Sequence, residues 1–225
     1  MEKNKTGKYL KYAIGEIALV VIGILIALQI NNWNEQRKDS IIEKVYLEGI
    51  KNDLKKDIEQ ANFIIGIYLT PLNIIDNIDS NFKLDSTLKL QNIDTFSMSI
   101  TSLFRKKKSF RPTKGTYSSL IADGKSNLIT NRILFQKIQS IYDEQQSRIL
   151  SLYDSFKTRE NSLTAEYSYE KFNWDYKTLT TIKNNKVLAT LSNFWDLARW
   201  YCIYLRTMIS EINILIAEIN VELKK

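Results

Sequence analysis

Residues 13–30 of the chain read AIGEIALVVIGILIALQI, a run in which Glu16 is the one charged residue. Tyr12 precedes the run and Trp33 follows it, at positions where aromatic side chains are typical of a membrane surface. A helix rises about 1.5 Å per residue, so the part from Tyr12 to Trp33 covers about 31 Å, close to the hydrocarbon thickness of a bilayer. The run therefore predicts a transmembrane helix over 13–30.

A cleaved signal peptide is the competing interpretation of the same run. The apolar core of such a peptide usually has about 7–15 residues and ends at a cleavage site of small residues. Here the run is longer, and it is followed by Asn31-Asn32-Trp33 rather than by such a site. We interpret the segment as an uncleaved signal anchor.

The basic residues on the two sides of the run predict its orientation. Residues 1–12 carry four lysines, whereas residues 31–42 carry only Arg37 and Lys38. The positive-inside rule places the more basic side in the cytoplasm. We therefore expect a short cytoplasmic tail and a domain of residues 31–225 outside the cytoplasm, which in a bacterium is the periplasm.

Composition narrows the classes of function. The 225 residues include 32 Lys or Arg, 25 Asp or Glu, one cysteine and no histidine. Within this chain that excludes a Ser-His-Asp triad and a His-ligated zinc, and the single Cys202 excludes an intrachain disulfide. We expect neither a metal site nor a cofactor. Only 7 Gly and 2 Pro interrupt the chain, which favours long helices over an all-β fold.

Two segments carry a resemblance to a known family. They are KYAIGEIALVVIGILIALQINNWNEQRK over 11–38 and GTYSSLIADGKSNLITN over 115–131. The first resembles the opening of an uncharacterised family of small single-pass membrane proteins from flavobacteria and other Bacteroidota, and the second resembles that family's internal Tyr-x-x-Leu…Gly…Leu-Ile pattern. The resemblance implies an inner-membrane protein with an extracytoplasmic helical domain, and it implies no activity.

Apolar residues recur at intervals of three or four after the membrane run, which predicts a helix over about 33–70. Pro71 is expected to end or kink this helix, because proline lacks the N–H group and clashes with the preceding turn. The members of the apolar stripe are Leu47, Ile50, Leu54, Ile58, Ala61, Ile65, Tyr68, Leu72 and Ile75. The residues between them are mostly charged, which is typical of a solvated face.

The middle of the chain is less regular. Residues 76–95 alternate apolar and polar positions in places, which fits a short hairpin and a loop equally well. Helices are predicted over about 95–103 and 113–122. Thr113 is expected to cap the second of these, and Gly124 is expected to end it in the left-handed conformation.

Two long helices complete the prediction, over about 132–163 and 186–223. Asn131 is expected to cap the first, whose stripe is Leu134, Ile138, Ile141, Ile149, Leu152 and Phe156. The second has a seam with regular spacings of three and four: Leu188, Leu191, Trp195, Ala198, Cys202, Leu205, Ile209, Ile212, Ile216, Ile219 and Leu223. Phe194, Tyr201, Met208 and Leu215 widen this seam, which favours a bundle core over a free coiled coil. Cys202 is then a buried structural thiol.

The predicted fold class is all-α. One N-terminal transmembrane helix (13–30) follows a cytoplasmic tail (1–12) and precedes an extracytoplasmic antiparallel helical bundle with long helices (31–225).

The membrane helix has its own candidates for contact with a partner helix. Small residues on one face allow two helices to approach closely in lipid. Glu16 fits either a polar contact to a partner helix or a place near the headgroups, paired with Lys8 or Lys11. The candidates are Gly15, Glu16, Gly23 and Ala27.

A basic run ahead of and around Pro112 is the candidate for contact with an anionic surface. Nucleic acid is an improbable ligand outside the cytoplasm, so lipid headgroups and a simple solvated loop are the two interpretations kept. The residues are Arg105, Lys106, Lys107, Lys108, Arg111 and Lys114. A second cluster, between 164 and 184, is aromatic and fits either sugar binding or core packing, with packing favoured. Its members are Tyr167, Tyr169, Phe172, Trp174 and Tyr176.

Carboxylates are the candidates for catalysis in this chain. The pairs are Asp53/Asp57, Asp143/Glu144 and Glu166/Glu170. A spacing of four is as common on solvated helix faces, and a carboxylate hydrolase usually needs a cleft lined by loops, so we predict that the chain is not an enzyme. We expect instead a membrane-anchored interaction or structural subunit of an envelope complex, a homo- or hetero-oligomer formed through its membrane and bundle helices. A sensor-like accessory protein that binds a ligand in the bundle is the alternative.

Overall fold

The computed structural model describes residues 5–78, 103–104, 108–169 and 185–225. The regular elements within these residues are helices, which confirms the all-α prediction for this part of the chain. In order they are α1 (Lys5–Asp76), α2 (Gly115–Ala122), a 3-10 helix (Ser126–Leu128), α3 (Arg132–Gln139), a π-helical segment (Ser140–Gln145), α4 (Gln146–Glu166) and α5 (Asn185–Glu222). The helix expected over about 95–103 and the irregular segment after 78 fall outside the described residues, apart from Leu103.

α1 is one unbroken helix, so the apolar N-terminal run and the first helix beyond it are a single element. Pro71 lies inside α1, and the prediction of a helix that ends near residue 70 is wrong. Proline removes one backbone hydrogen bond and crowds the preceding turn. Beyond it Ile74 is fully buried, and Arg199 Nη1 donates a hydrogen bond to Asp76 Oδ2 at 2.9 Å. These contacts stabilise the last turn despite the proline.

α5 packs along the part of α1 that follows the apolar run. Lys51 Nζ of α1 donates a hydrogen bond to Asn220 Oδ1 near the end of α5, at 3.3 Å. Asp76, at the end of α1, pairs with Arg199 nearer the start of α5. The prediction that the wide apolar stripe of α5 is core is confirmed, because its members are buried or packed against buried residues. The buried ones are Leu191, Phe194, Trp195, Ala198, Tyr201, Cys202, Leu205, Met208, Ile212, Leu215 and Ile219.

The predicted helix over 132–163 is confirmed in position, and it reaches Glu166. Asn131 caps it as expected, since its side chain accepts a hydrogen bond from the backbone N–H of Leu134 at 3.1 Å. The π-helical segment in its middle was not predicted. A π-helix adds one residue to a turn. Here Tyr142, within the segment, and Gln146, directly after it, are both fully buried. These two fill the gap between Ile141 and Ile149 in the predicted stripe.

α2 lies across α1 at Gly49. A Cβ atom at this position would come within 2.7 Å of Thr116 Cγ2, so glycine permits the close approach of the two helices. The residue ahead of α2 is Lys114, and no side chain of its own segment caps the helix, so the prediction of Thr113 as the cap is wrong. Gly124 follows α2 with a φ of 66°, as expected for a left-handed residue after a helix.

Aromatic side chains form the core at the end of α1 far from the apolar run. The Tyr68 ring of α1 lies 6.1 Å from the Phe156 ring and 5.8 Å from the Tyr201 ring, measured between centroids in edge-to-face arrangements. The Trp195 ring lies 6.2 Å from the same tyrosine. Such edge-to-face pairs add to the stabilisation that burial alone provides.

Two members of the predicted aromatic cluster between 164 and 184 are described. Tyr167 is buried, in line with packing, and Tyr169 is exposed. The other members, Phe172, Trp174 and Tyr176, lie outside the described residues.

Candidate functional site

The apolar part of α1 contacts no other part of the described chain. From Ala13 to Trp33 every side chain is exposed, and none of the most apolar window is buried. In the core helix of a water-soluble protein such side chains would be covered by other elements. By its length and composition, α1 could also cross a membrane.

The four contact candidates on this segment do not all share one face. At 3.6 residues per turn, Glu16, Gly23 and Ala27 fall within about 40° of one another around α1. Gly15 lies about 80° from Gly23, so it borders the face that the other three candidates share. A Cβ atom added at Gly15 or Gly23 would meet nothing within 4 Å, so packing within the chain does not require glycine at either position.

Three carboxylates on the part of α1 that follows the apolar run hold the backbone of the segment that follows residue 108. Asp53 Oδ2 accepts a hydrogen bond from the N–H of Thr116 at 3.0 Å, in the first turn of α2. Asp57 Oδ1 accepts one from the N–H of Thr113 at 2.8 Å. Glu43 Oε1 accepts a third at 2.7 Å, from the N–H of a residue just before α3. Asp53 thus supplies α2 with a capping group from α1, since the first N–H groups of a helix have no partner within it.

Asp53 and Asp57 were expected on a solvated face, and both are buried. Asp57 is fully buried, and its Oδ2 accepts a hydrogen bond from Gln146 Nε2 at 2.8 Å. Burial raises the pKa of the Asp57 carboxyl to about 6, and the nearby charge of Asp53 also raises it, while the hydrogen bonds from Thr113 and Gln146 oppose the rise. Tyr142 Oη and Gln146 Oε1 are buried near this carboxylate without a hydrogen-bond partner among the described residues.

Of the other two carboxylate pairs, the structure describes one completely and half of the second. Asp143 and Glu144 are exposed at the surface of the π-helical segment. Glu166 pairs with Lys186 at 2.7 Å, and Glu170 lies outside the described residues. In the described part of the chain, no three Asp, Glu or Cys side chains come together as metal ligands would.

Cys202 lies in the core between α5 and its neighbours and is buried. Burial raises the pKa of its thiol to about 11, so the thiol is protonated at neutral pH. A protonated, buried thiol is neither a nucleophile nor a metal ligand.

The predicted basic run is divided by the structure. Lys114 Nζ donates a hydrogen bond to the carbonyl of Tyr142 at 3.1 Å, so this ammonium is turned towards the π-helical segment. Lys108 and Arg111 line a separate groove. Arg105, Lys106 and Lys107 lie outside the described residues.

The groove beside Lys108 and Arg111 has a volume of about 570 Å³ and lies between α1, residues 108–111 and α4. The Lys108 ammonium lies 5.2 Å from the centroid of the Phe63 ring, and this ring is 57% exposed. We call this surface the basic groove. It is lined by Gln60, Phe63, Ile64, Lys108, Ser109, Arg111 and Tyr153.

Comparison with known proteins gives one match. Residues 16–205 match a family described as a family of unknown function, DUF6090. No curated protein and no solved structure matches the chain. The family match agrees with the resemblance to an uncharacterised family, while the bacterial group named there stays a prediction. Because the match spans most of the 225 residues, from the apolar part of α1 into α5, the chain belongs to the family of unknown function DUF6090.

Proposed function

We propose that the protein crosses the bacterial inner membrane once, through residues 13–30, with residues 1–12 in the cytoplasm and residues 31–225 in the periplasm. The exposure of the whole apolar part of α1 supports a lipid environment for it. The four lysines ahead of the span support the orientation.

The periplasmic part is an antiparallel helical bundle in this proposal. Its support is the pairing of opposite ends: Lys51 of α1 with Asn220 of α5, and Asp76 of α1 with Arg199 of α5. The bundle includes α3 and α4, which both contribute buried side chains to the same core.

The protein acts in this proposal as a non-enzymatic interaction or structural subunit of an envelope complex. The observation that carries this role is the unbroken course of α1, which is both the membrane helix and a central helix of the bundle. No loop separates the two parts, so a partner that binds one of them acts on the same rigid element as a partner that binds the other. Protein interfaces in the membrane and outside it are thereby coupled.

A reporter enzyme fused after Lys225 tests the orientation. Alkaline phosphatase, which needs the oxidising periplasm to form its disulfides, should be active in this fusion. A fluorescent protein that matures only in the cytoplasm should stay dark in the same place. A bright cytoplasmic reporter after Lys225 would reverse the proposed topology.

Gly23→Leu tests the interaction role. In lipid, close packing and interhelical hydrogen bonds must supply helix association, so a bulky side chain on the small face should weaken it. Purification of the chain from membranes in mild detergent should recover a second copy or another membrane protein, and this variant should recover clearly less. Glu16→Gln should have a smaller effect, because an amide still forms hydrogen bonds.

Ala18→Leu is the matched control for that experiment. This variant also replaces a small side chain by leucine, but at a position about 140° around the helix from Gly23, away from the small face. Recovery of partners should match the parent chain. Equal recovery from Gly23→Leu and Ala18→Leu would show that the membrane helix is a simple tether and would place partner contacts in the bundle.

A sensor-like accessory protein is the second candidate function. In this version a ligand binds the bundle, and the signal passes inward through the transmembrane helix of a partner. The basic groove favours it, since its volume of about 570 Å³ falls within the range typical of small-molecule sites.

A further inference from the structure

The Lys108 and Arg111 cations of the basic groove form no ion pair within the described part of the chain, although the Lys108 ammonium packs on the Phe63 ring. None of the described residues that line the groove is acidic. Two positive charges therefore line the same groove, and no acidic residue of the described ranges neutralises them.

Apolar and aromatic side chains line the groove beside these cations. Phe63 projects from α1 with more than half of its surface exposed, and Ile64 and Tyr153 also line the groove. Because most of this ring is exposed, it buries little apolar surface in the core. Together with the cations it forms a surface with an apolar and a positive side.

The backbone that carries the cations is held in place from α1 and α5. Gln60 Oε1 accepts a hydrogen bond from the N–H of Arg111. Tyr201 Oη accepts one from the N–H of Phe110 at 2.8 Å, and the Tyr68 hydroxyl donates to the carbonyl of Lys108 at 3.3 Å. Fixing the backbone before a ligand arrives lowers the entropy lost on binding.

The position of the groove along α1 separates it from the membrane. Gln60 follows Trp33 by a length of helix that covers about 40 Å. That is several times the Debye length of about 8 Å in physiological salt. The headgroups around the membrane helix therefore do not supply the anion for Lys108 and Arg111, and the ligand comes from the aqueous space.

From these observations we infer that the basic groove binds a small amphipathic anion, with a carboxylate or phosphate group attached to an aromatic or aliphatic body. The anionic group lies between the Lys108 ammonium and the Arg111 guanidinium, and the apolar body lies against Phe63 and Tyr153. This inference deepens the second candidate function. It needs only the folded bundle, so its failure leaves the interaction role and the topology untouched.

Phenyl phosphate is a suitable probe, because it combines both groups in one small molecule. The full chain in lipid nanodiscs is titrated with it by isothermal calorimetry, against empty nanodiscs. Inorganic phosphate, which lacks the ring, and phenol, which lacks the charge, are titrated in parallel. We expect one phenyl phosphate per chain, with a Kd at least about tenfold lower than that of either fragment.

Variants locate the binding. Arg111→Gln and Phe63→Ser should each raise the Kd of phenyl phosphate about tenfold, and both leave the backbone hydrogen bonds of the segment intact. Lys125→Gln is the matched control, since Lys125 is also a lysine over an aromatic ring, 5.7 Å from the Tyr46 centroid, but lies outside the groove. It should bind like the parent chain. The inference is overturned if phenyl phosphate does not bind below about 1 mM, or if Arg111→Gln and Phe63→Ser bind as Lys125→Gln does.

Discussion

Ile212→Ala is expected to lower the free energy of unfolding by about 2–5 kcal/mol, the range for large-to-small changes in a packed core. Ile212 has no exposed surface and lies in the seam of α5 that belongs to the buried core. The smaller side chain buries less apolar surface. It also leaves a cavity, because the surrounding helices relax only partially. Denaturant unfolding of the detergent-solubilised chain, followed by circular dichroism, measures the change.

Ile214→Ala gives a control on the same helix with the same pair of side chains. Ile214 is 58% exposed, so its replacement should change the free energy of unfolding by no more than about 0.5 kcal/mol. Leu205→Ala, which is again fully buried, should behave like Ile212→Ala. If the two isoleucine variants were equally stable, the packing of α5 described above would be wrong.

Periodicity was sufficient to predict the long helices. The apolar seam of α5 predicted a helix over 186–223, and the structure gives Asn185–Glu222. This agreement has a physical basis, because a helix that buries one face must repeat apolar residues every three or four positions. The prediction that the first helix ends near Pro71 was wrong because local periodicity contains no information on distant contacts. A proline has a local cost, and the sequence does not reveal that the residues beyond it are anchored by contacts with α5.

The capping of α2 and α3 shows what a local pattern does not contain. Asn131 was predicted correctly as a cap, because its side chain accepts a hydrogen bond from an N–H group only three residues later. Thr113 was predicted wrongly, because the carboxylates that hold this region come from α1, more than fifty residues earlier. Asp53 and Asp57 are four residues apart, a spacing that looks the same on a solvated face and on a buried one.

The sequence predicted only part of the basic groove. The run of cations around Pro112 stood out, but Phe63 lies on a different helix and belongs to no local pattern. The run also suggested one surface, whereas Lys114 is turned towards the carbonyl of Tyr142 and away from that role. Only the docking of the segment on α1 decides which of the cations share a site.

Asp57→Asn is expected to change how the stability of the protein depends on pH. The pKa of this carboxyl is raised from 3.8 to about 6, chiefly by burial. The folded state therefore binds a proton more tightly than the unfolded state, so the carboxyl's contribution to stability is fully present below about pH 4 and is lost as the pH rises through about 6. A shift of this size corresponds to about 2–3 kcal/mol between the two ends of that window.

The amide variant removes the titration while keeping the hydrogen bonds. Its oxygen accepts from the N–H of Thr113, and its new N–H group finds Gln146 Oε1, which has no partner among the described residues, once the Gln146 amide rotates. The free energy of unfolding of Asp57→Asn minus that of the parent chain should thus rise by about 2–3 kcal/mol from pH 4 to pH 7. Carboxylates that do not interact with Asp57 cancel in this difference, because they are the same in both chains. Asp53 does interact with it, so part of the change belongs to this pair.

Two further variants separate charge from hydrogen bonding at this position. Asp57→Ala leaves the N–H of Thr113 and the amide of Gln146 unpaired in the interior, so it should be destabilised by about 1–3 kcal/mol relative to Asp57→Asn at both pH values. Glu59→Gln removes an exposed carboxylate two residues away on the same helix and should keep the pH dependence of the parent chain. If Asp57→Asn kept that dependence as well, the buried carboxylate would be ionised throughout the range. The proton would then have no part in holding residues 108–114, with Lys108 and Arg111 of the basic groove, against α1.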